Sequence, residues 1–274
     1  MNISFLQNQN LSFNAGMTTG IKNEIKYCDV QKISEYMEKQ GIKNDFKGNK
    51  IVAWSSLKCV QLIQTLNKLY NLKLSFPKGI YVEDFENLKG IDMNACGFVN
   101  YAPINLYKEK SLIVPEQTIF FNEFKDKQIW SNLDFLSDKD YENGLQATDF
   151  FLEKFIHEFM HVIHEQNLIL KLGGQKLVKS LQQANSPKNL QAYQKKYTAL
   201  FKQICEYATF SPLETVACDM SKRVIKSIDK NNLTPNLNFL SASPYKNQSM
   251  LFNFYSKKFE RILHKIWNGN LIFD

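Results

Sequence analysis

Two histidines and a glutamate at close spacing are the residues of this sequence best suited to chemistry. His157, Glu158 and His161 form the pattern H-E-x-x-H within the stretch TDFFLEKFIHEFMHVIHEQNLILK. On an α-helix, residues four apart leave the same face one turn apart, so both imidazoles can share one ion. Two neutral imidazoles suit tetrahedral Zn2+ and leave a position open for water. Glu158 is rotated away from the ion, where a general base for that water belongs.

Histidine is rare in this chain, which makes the pattern more specific. The sequence has four histidines, and His157, His161 and His164 fall within eight positions. The surrounding residues predict a helix that is apolar on most of its circumference and is therefore buried. Its apolar positions are Phe150, Phe151, Ile156, Phe159, Met160, Val162, Ile163 and Leu168. Gly173 and Gly174 predict the end of this helix. The simpler alternative is a buried helix whose histidines bind nothing.

The residues before this helix predict a small sheet with flanking helices. Residues 1–25 are polar without a sustained period, which predicts a loose tail or one short strand. Residues 29–40 predict a short amphipathic helix, and Ser55 or Ser56 is predicted to cap a second one. Strands are predicted at residues 80–82, 97–101, 112–114 and 118–122. The polar residues 123–146 predict an irregular connection.

The residues after the helix predict a mainly helical part. Ser186-Pro187 and Ser211-Pro212 predict helices that reach residues 207 and 228, because serine caps a helix and proline suits its first turn. A loop is predicted over 230–246 and a last helix over 248–267.

The predicted fold class is α+β, with a small mixed sheet packed on the H-E-x-x-H helix. Residues 1–50 are predicted to form an N-terminal tail and short helix, and residues 51–274 one domain. Its parts are a helix and small sheet at 51–146, the active-site helix at 147–172, and the helical part at 173–274. An exposed edge strand could hold an extended peptide above the ion. Alternatively, the strands only cover the helix.

A catalytic zinc needs a third protein ligand, and three residues are candidates. His164 lies on the same helical face as the pattern but one turn beyond the ion, so we expect it to line the cleft as a partly buried polar residue. Glu214 begins a later helix. It is also the fourth residue of a capping box that starts at Ser211, where its carboxylate would bond the Ser211 amide. Glu206 is the remaining candidate.

The segment YATFSPLETVACD, residues 207–219, resembles the second motif of the gluzincin metallopeptidases. These enzymes pair H-E-x-x-H with a glutamate from a later helix, often followed by a small residue three positions on, here Ala217. The tyrosine seven residues before the glutamate, Tyr207, is similar to the arrangement in the catalytic domain of anthrax lethal factor and its relatives. In some gluzincins an aspartate four residues after the glutamate orients the first histidine. Here that position is Cys218, and Asp219 follows it.

The resemblance implies a zincin-like fold and zinc-dependent hydrolysis of a peptide or protein substrate. The implied metal ligands are His157, His161 and Glu214. The implied catalytic residues are Glu158 as general base and Tyr207 as donor to the oxyanion, with Tyr101 and Tyr245 as alternative donors. Two other functions fit the same residues. One is a non-catalytic binding protein on a zincin scaffold, and the other is a zinc amidase acting on a small substrate.

The composition limits the partners and the cellular compartment that the sequence predicts. The net charge is +7, but only two of the 34 basic residues are arginine, so we do not expect nucleic-acid binding. Five widely spaced cysteines without a C-x-x-C pair predict a reducing compartment. No apolar run is long enough to span a membrane, and the N-terminus lacks a secretory pattern. The sequence therefore predicts a cytoplasmic protein or one exported without a recognisable signal peptide, and it leaves the oligomeric state open.

Overall fold

The computed structural model describes residues 17–70, 73–124, 128–230, 233–235 and 257–273. These residues form a mixed α and β structure, as predicted, with ten α-helices. The helices are α1 (Thr19–Tyr27), α2 (Val30–Lys39), α3 (Lys50–Tyr70), α4 (Gln128–Ser131), α5 (Leu133–Glu142), α6 (Glu153–Leu172), α7 (Gly174–Ala184), α8 (Pro187–Phe201), α9 (Pro212–Ser227) and α10 (Lys257–Trp267). None of them combines the length and apolar character needed to cross a bilayer.

Four strands form the main sheet. The strands of the chain are β1 (Lys43–Asp45), β2 (Gly79–Glu83), β3 (Gly97–Asn100), β4 (Ile104–Asn105), β5 (Ile113–Val114), β6 (Thr118–Asn122), β7 (Ile228–Asp229) and β8 (Thr234–Pro235). The order in the main sheet is β1-β2-β6-β3, while β4 pairs with β5 and β7 with β8. The first three strands of the main sheet run parallel, and β3 runs antiparallel to β6 at the edge. The sheet is therefore small and mixed, as predicted.

Helix α6 lies in the middle of the hydrophobic core. Side chains such as Phe155, Ile156 and Phe159 are at most 1% exposed, because α3, α9, α10 and the sheet surround the helix. A helix that is apolar on most of its circumference is stable only when it is covered in this way. It ends at Gly173, whose φ of 75° suits glycine and turns the chain directly into α7.

The described part of the N-terminal region is helical. Residues 1–16 of the predicted loose tail or strand lie outside the described residues, whereas residues 19–27 form α1, which corrects the prediction for that part. Thr18 caps the helix by accepting a hydrogen bond from the amide of Ile21. Ile21 and Ile25 are buried in the main core, and burial of two apolar side chains stabilises a helix of otherwise polar residues.

Helix α3 begins at Lys50, six or seven residues before the start that a cap at Ser55 or Ser56 predicts. Asn49 is its cap, because the Asn49 side chain accepts a hydrogen bond from the amide of Val52 at 3.0 Å. The predicted caps, Ser55 and Ser56, are fully buried inside the helix. An asparagine just before the apolar run therefore takes the role that was assigned to the serines. Helix α2, in contrast, is confirmed, and the structure shows Asp29 capping it by accepting a hydrogen bond from the amide of Lys32.

The connection before α6 is helical rather than irregular. Helices α4 and α5 occupy much of residues 123–146, which corrects the prediction. Trp130 and Leu133 anchor them, because both side chains are at most 5% exposed in the core. The indole of Trp130 also donates a hydrogen bond to the carbonyl of Asn122 at 2.9 Å. Burial of Trp130 and Leu133 thus stabilises helices in a segment of otherwise polar composition.

The C-terminal part is helical, as predicted, with Ser186 and Ser211 capping α8 and α9. Helix α8 ends at Phe201, earlier than predicted, and a short 3-10 helix follows at Tyr207–Thr209. An ion pair between Arg223 and Glu260 joins α9 to α10. Residues 236–256, which hold most of the predicted loop, the start of the predicted last helix and Tyr245, lie outside the described residues.

Candidate metal centre

The two histidines of the H-E-x-x-H pattern lie together on α6. Nε2 of His157 and Nε2 of His161 are 3.0 Å apart, because side chains four residues apart leave the same helical face. The side chains are 13% and 7% exposed. Both Nε2 atoms therefore face one nearly enclosed point.

Glu214 reaches the same point from α9. Its Oε2 lies 3.0 Å from Nε2 of His157 and 3.4 Å from Nε2 of His161. The hydroxyl of Ser211 accepts a hydrogen bond from the Glu214 amide at 3.2 Å, so the helix is capped through the backbone of Glu214. Its carboxylate remains directed at the histidines. Glu214 can thus take part in the cap of α9 through its amide and still place its carboxylate at the two histidines.

The three atoms match the donor set of a zinc site. Two imidazole nitrogens and one carboxylate oxygen lie within 4.8 Å of one another. In a tetrahedral site with ligand bonds of about 2.0 to 2.1 Å, neighbouring ligand atoms are about 3.3 to 3.4 Å apart. The observed separations are 3.0, 3.0 and 3.4 Å. The side chains therefore fit zinc with only small adjustments.

The pKa values of His157 and Glu214 indicate that a bound cation would replace a proton. Burial by itself raises the pKa of Glu214, but the adjacent His161 and His157 hold that pKa well below its usual range. Burial lowers the pKa of His157, whereas the hydrogen bond and charge of Glu214, together with two nearby carboxylates, raise it to about 9. Without a metal, a proton on His157 therefore compensates the carboxylate.

The outer nitrogens of the two histidines have neutral partners. The hydroxyl of Tyr101, just after β3, lies 2.6 Å from Nδ1 of His161. The sulfur of Cys218 lies 3.8 Å from Nδ1 of His157. Sequence reasoning considered Tyr101 only as a donor to the oxyanion. No local pattern could have indicated the contact with His161, since the partners are 60 positions apart.

The carboxylate of Asp219 does not hydrogen-bond to His157. Its carboxylate accepts a hydrogen bond from Nε of Arg223 at 2.7 Å, inside the interface of α9 and α10. Burial raises the pKa of Asp219 to about 7, although Arg223 lowers it. Asp219 thus has a structural partner on α9 itself, and Cys218 lies beside the histidine.

Glu158 lies on the wall of a cleft beside the group. The cleft has a volume of about 340 Å³, and His157, Glu158 and Tyr207 all line it. Burial raises the pKa of Glu158, while His157 and His161 lower it. Gly97 of β3 packs against the side chain, because a Cβ there would lie 3.2 Å from Cγ of Glu158. The edge strand therefore passes directly over the predicted base.

Tyr207 lines the cleft at the start of the 3-10 helix. Its ring centroid is 5.8 Å from that of His157. The amides of Glu206 and Tyr207 donate to the carbonyl of Gly144 at 2.7 and 3.1 Å, which holds the backbone in place. Burial raises the pKa of Tyr207, and the carboxylates of Glu214 and Glu158 raise it further. The phenol therefore stays protonated and can donate.

Two candidate ligands lie away from the group. His164 is 1% exposed and stacks on the indole of Trp267, with ring centroids 5.1 Å apart. Burial lowers its pKa to about 3, so the ring is neutral. It does not line the cleft, which corrects the prediction for this residue. Glu206 is exposed and pairs with Lys202.

A comparison of this chain with protein-family models, with curated proteins and with solved structures found no match.

Proposed function

We propose that this chain is a zinc-dependent metallopeptidase with a zincin-like fold. One observation carries the proposal. The ligand atoms of His157, His161 and Glu214 lie within 4.8 Å of one another, and the carboxylate of Glu158 lines the adjoining cleft. Three zinc ligands beside a free carboxylate are the set that hydrolysis by an activated water requires.

Each side chain has a defined task. Bound zinc would polarise the scissile carbonyl and lower the pKa of a water to about 7. Glu158 takes the proton of that water and passes it to the leaving amine. Tyr207 donates a hydrogen bond to the oxyanion, since its phenol stays protonated and lies beside His157.

The edge of the sheet supports a peptide substrate. Strand β3 pairs with β6 on one side, and its order in the main sheet leaves the other side at the edge. The strand also contacts α6, with Gly97 over Glu158. An extended peptide that pairs with this edge would pass over the proposed zinc and its base. A small amide substrate would not pair with that edge strand.

The experiment measures peptide hydrolysis by zinc-loaded wild type and Glu158→Gln, using a mixed peptide library and mass spectrometry. We expect cleavage by the wild type and a loss of at least about 100-fold in the variant, because general base catalysis supplies about that much. Zinc content should be the same in both. Glu165→Gln is the matched control, because it changes another buried glutamate of α6 outside the cleft.

Three results would contradict the proposal. Full turnover in Glu158→Gln would remove the base assignment. Cleavage of small acylamides but of no peptide in the library would favour the amidase alternative. A wild type that binds zinc without hydrolysing either class would favour a binding protein on the same scaffold.

A further inference from the structure

We propose that Tyr101 is a positioning residue of the metal centre. Its hydroxyl accepts a hydrogen bond from Nδ1 of His161 and thereby directs Nε2 of that ring at the metal. This inference rests on the proposed zinc site, but it does not depend on the reaction catalysed there.

The geometry of the contact is specific. Oη of Tyr101 and Nδ1 of His161 are 2.6 Å apart, and the two rings meet edge to face at 86°. Nε2 of the same imidazole faces His157 and Glu214. A neutral imidazole carries its proton on one nitrogen only, so binding a metal through Nε2 places the proton on Nδ1. The tyrosine oxygen is the acceptor for that proton.

The location of the Tyr101 hydroxyl distinguishes the proposed positioning role from a catalytic one. Nδ1 and Nε2 point to different sides of the imidazole ring, and the hydroxyl lies on the Nδ1 side. Tyr101 therefore contacts the outer side of His161 rather than the point where the ligand atoms meet. Tyr207, in contrast, lines the cleft itself.

The backbone around Tyr101 is held by the preceding residue. The side chain of Asn100 donates to the carbonyls of Ala102 and Pro115 at 3.1 and 2.8 Å. Its Oδ1 accepts a hydrogen bond from the amide of Thr118 at 3.1 Å. Asn100 is 6% exposed, so water does not compete strongly for these bonds. Tyr101 thus follows directly on a residue of β3 that is held in place by hydrogen bonds.

The second histidine has a much weaker partner. The contact between Cys218 and Nδ1 of His157 is 3.8 Å long, and a thiol is a weak acceptor. Metal-bound histidines usually donate the outer N–H to a carboxylate, a carbonyl or a water, and loss of such a partner lowers metal affinity about 10- to 100-fold. Among the described residues, Nδ1 of His157 has no stronger hydrogen-bond partner than this thiol, so we infer that Tyr101 contributes more than Cys218 to the orientation of the pair.

The test compares zinc affinity of wild type and Tyr101→Phe by competition with a chromogenic chelator. The phenylalanine keeps the ring that packs on His161 and removes only the acceptor. We expect zinc to bind about 10- to 100-fold more weakly. The thermal midpoint of the zinc-free variant should stay close to that of the wild type, which separates positioning from a general loss of stability.

Two tyrosines serve as controls. Tyr107→Phe removes a hydroxyl that donates to Glu83 at 2.9 Å, outside the cleft, and zinc affinity should not change. Tyr207→Phe removes the proposed oxyanion donor, so turnover should fall while zinc affinity is kept. If Tyr101→Phe binds zinc as tightly as the wild type, the positioning role is wrong.

A measurement on the wild type alone gives a second test. In zinc-loaded protein with ¹⁵N-labelled histidine, NMR should show His161 protonated at Nδ1, with slow exchange of that proton. A ring protonated at Nε2 in the zinc-loaded protein would overturn the proposal, even if the variant failed to fold. A wild type that binds no zinc would instead overturn the metal centre itself, so the two failures are distinguishable.

Discussion

Oε2 of Glu214 lies 3.0 Å from Nε2 of His157, although the two residues are 57 positions apart. The contact joins the first turn of α9 to α6. A partly buried carboxylate beside an imidazole is stabilised by a compensating positive charge, and either a proton on His157 or a divalent cation can supply it. This exchange of a proton for a metal is the basis of the first prediction.

Zinc affinity should rise with pH up to about 9. The pKa of His157 in the metal-free protein is raised to about 9, so at lower pH zinc must displace a proton from this ring. The apparent affinity should therefore increase about tenfold per pH unit below that value. Chelator competition from pH 6.5 to 9.5, corrected for the chelator's own protonation, measures the slope. A flat profile would contradict the assignment.

The serine cap and the metal ligand should be separable. Ser211→Ala removes the hydroxyl that accepts from the Glu214 amide and should lower the free energy of unfolding by about 1 kcal/mol. Urea unfolding measures this change. Ser186→Ala is the matched control, because Ser186 caps α8 in the same way. Only Ser211→Ala should also weaken zinc binding, since it loosens the turn that presents Glu214. Equal zinc affinity in the two variants would contradict this coupling.

Gly97→Ala should lower turnover and leave zinc in place. A Cβ at this position would lie 3.1 Å from the carbonyl oxygen of Phe120 and 3.2 Å from Cγ of Glu158. The backbone oxygen cannot move easily, so the carboxylate is displaced. Misplacing a catalytic group by about 1 Å costs up to about 100-fold in rate. Peptide hydrolysis and zinc content of the variant test this, and unchanged turnover would show that the base tolerates the shift.

Glu165 should make the folded state less stable as pH rises. The side chain is 1% exposed, and neither carboxylate oxygen has a hydrogen-bond partner among the described residues. Burial raises its pKa from an ordinary value of 4.5 to about 8. The folded state thus holds a proton that the unfolded state releases, so its contribution to stability falls between pH 4.5 and about 8.

Glu165→Gln removes this titration. Compared with the variant, the wild type should lose on the order of 4 kcal/mol of unfolding free energy between pH 5 and pH 8. Denaturant unfolding at several pH values measures the difference. Gln166→Asn, at the next position and without a titrating group, should differ from the wild type by a constant amount. A constant difference for Glu165→Gln as well would contradict the shifted pKa.

The local parts of the site could be predicted from the sequence. The pairing of His157 and His161 follows from helical geometry, and the cap at Ser211 follows from residue type. A resemblance of motifs favoured Glu214 over the other candidate ligands and indicated Tyr207, because no local rule shows which later residue packs on α6. The structure brings Glu214 to the two histidines and Tyr207 to the adjoining cleft. The zinc itself and the reaction remain predictions.

The parts that sequence reasoning missed depend on tertiary packing. The contact between Tyr101 and His161 requires that the end of β3 lie along α6, which no periodicity encodes. Helix α1 was missed because its residues are polar, while its stability comes from Ile21 and Ile25 in a core built by distant segments. The start of α3 was misplaced because Ser55 and Ser56 look like caps until their burial is known.

Zinc stoichiometry of the purified protein tests the central claim most directly. The wild type and Glu214→Ala should be dialysed against the same zinc buffer and analysed for metal per chain. The proposed centre predicts one zinc per wild-type chain and loss of zinc in the variant, since two imidazoles alone hold the ion poorly. Full zinc content in Glu214→Ala, or none in the wild type, would contradict the centre formed by His157, His161 and Glu214.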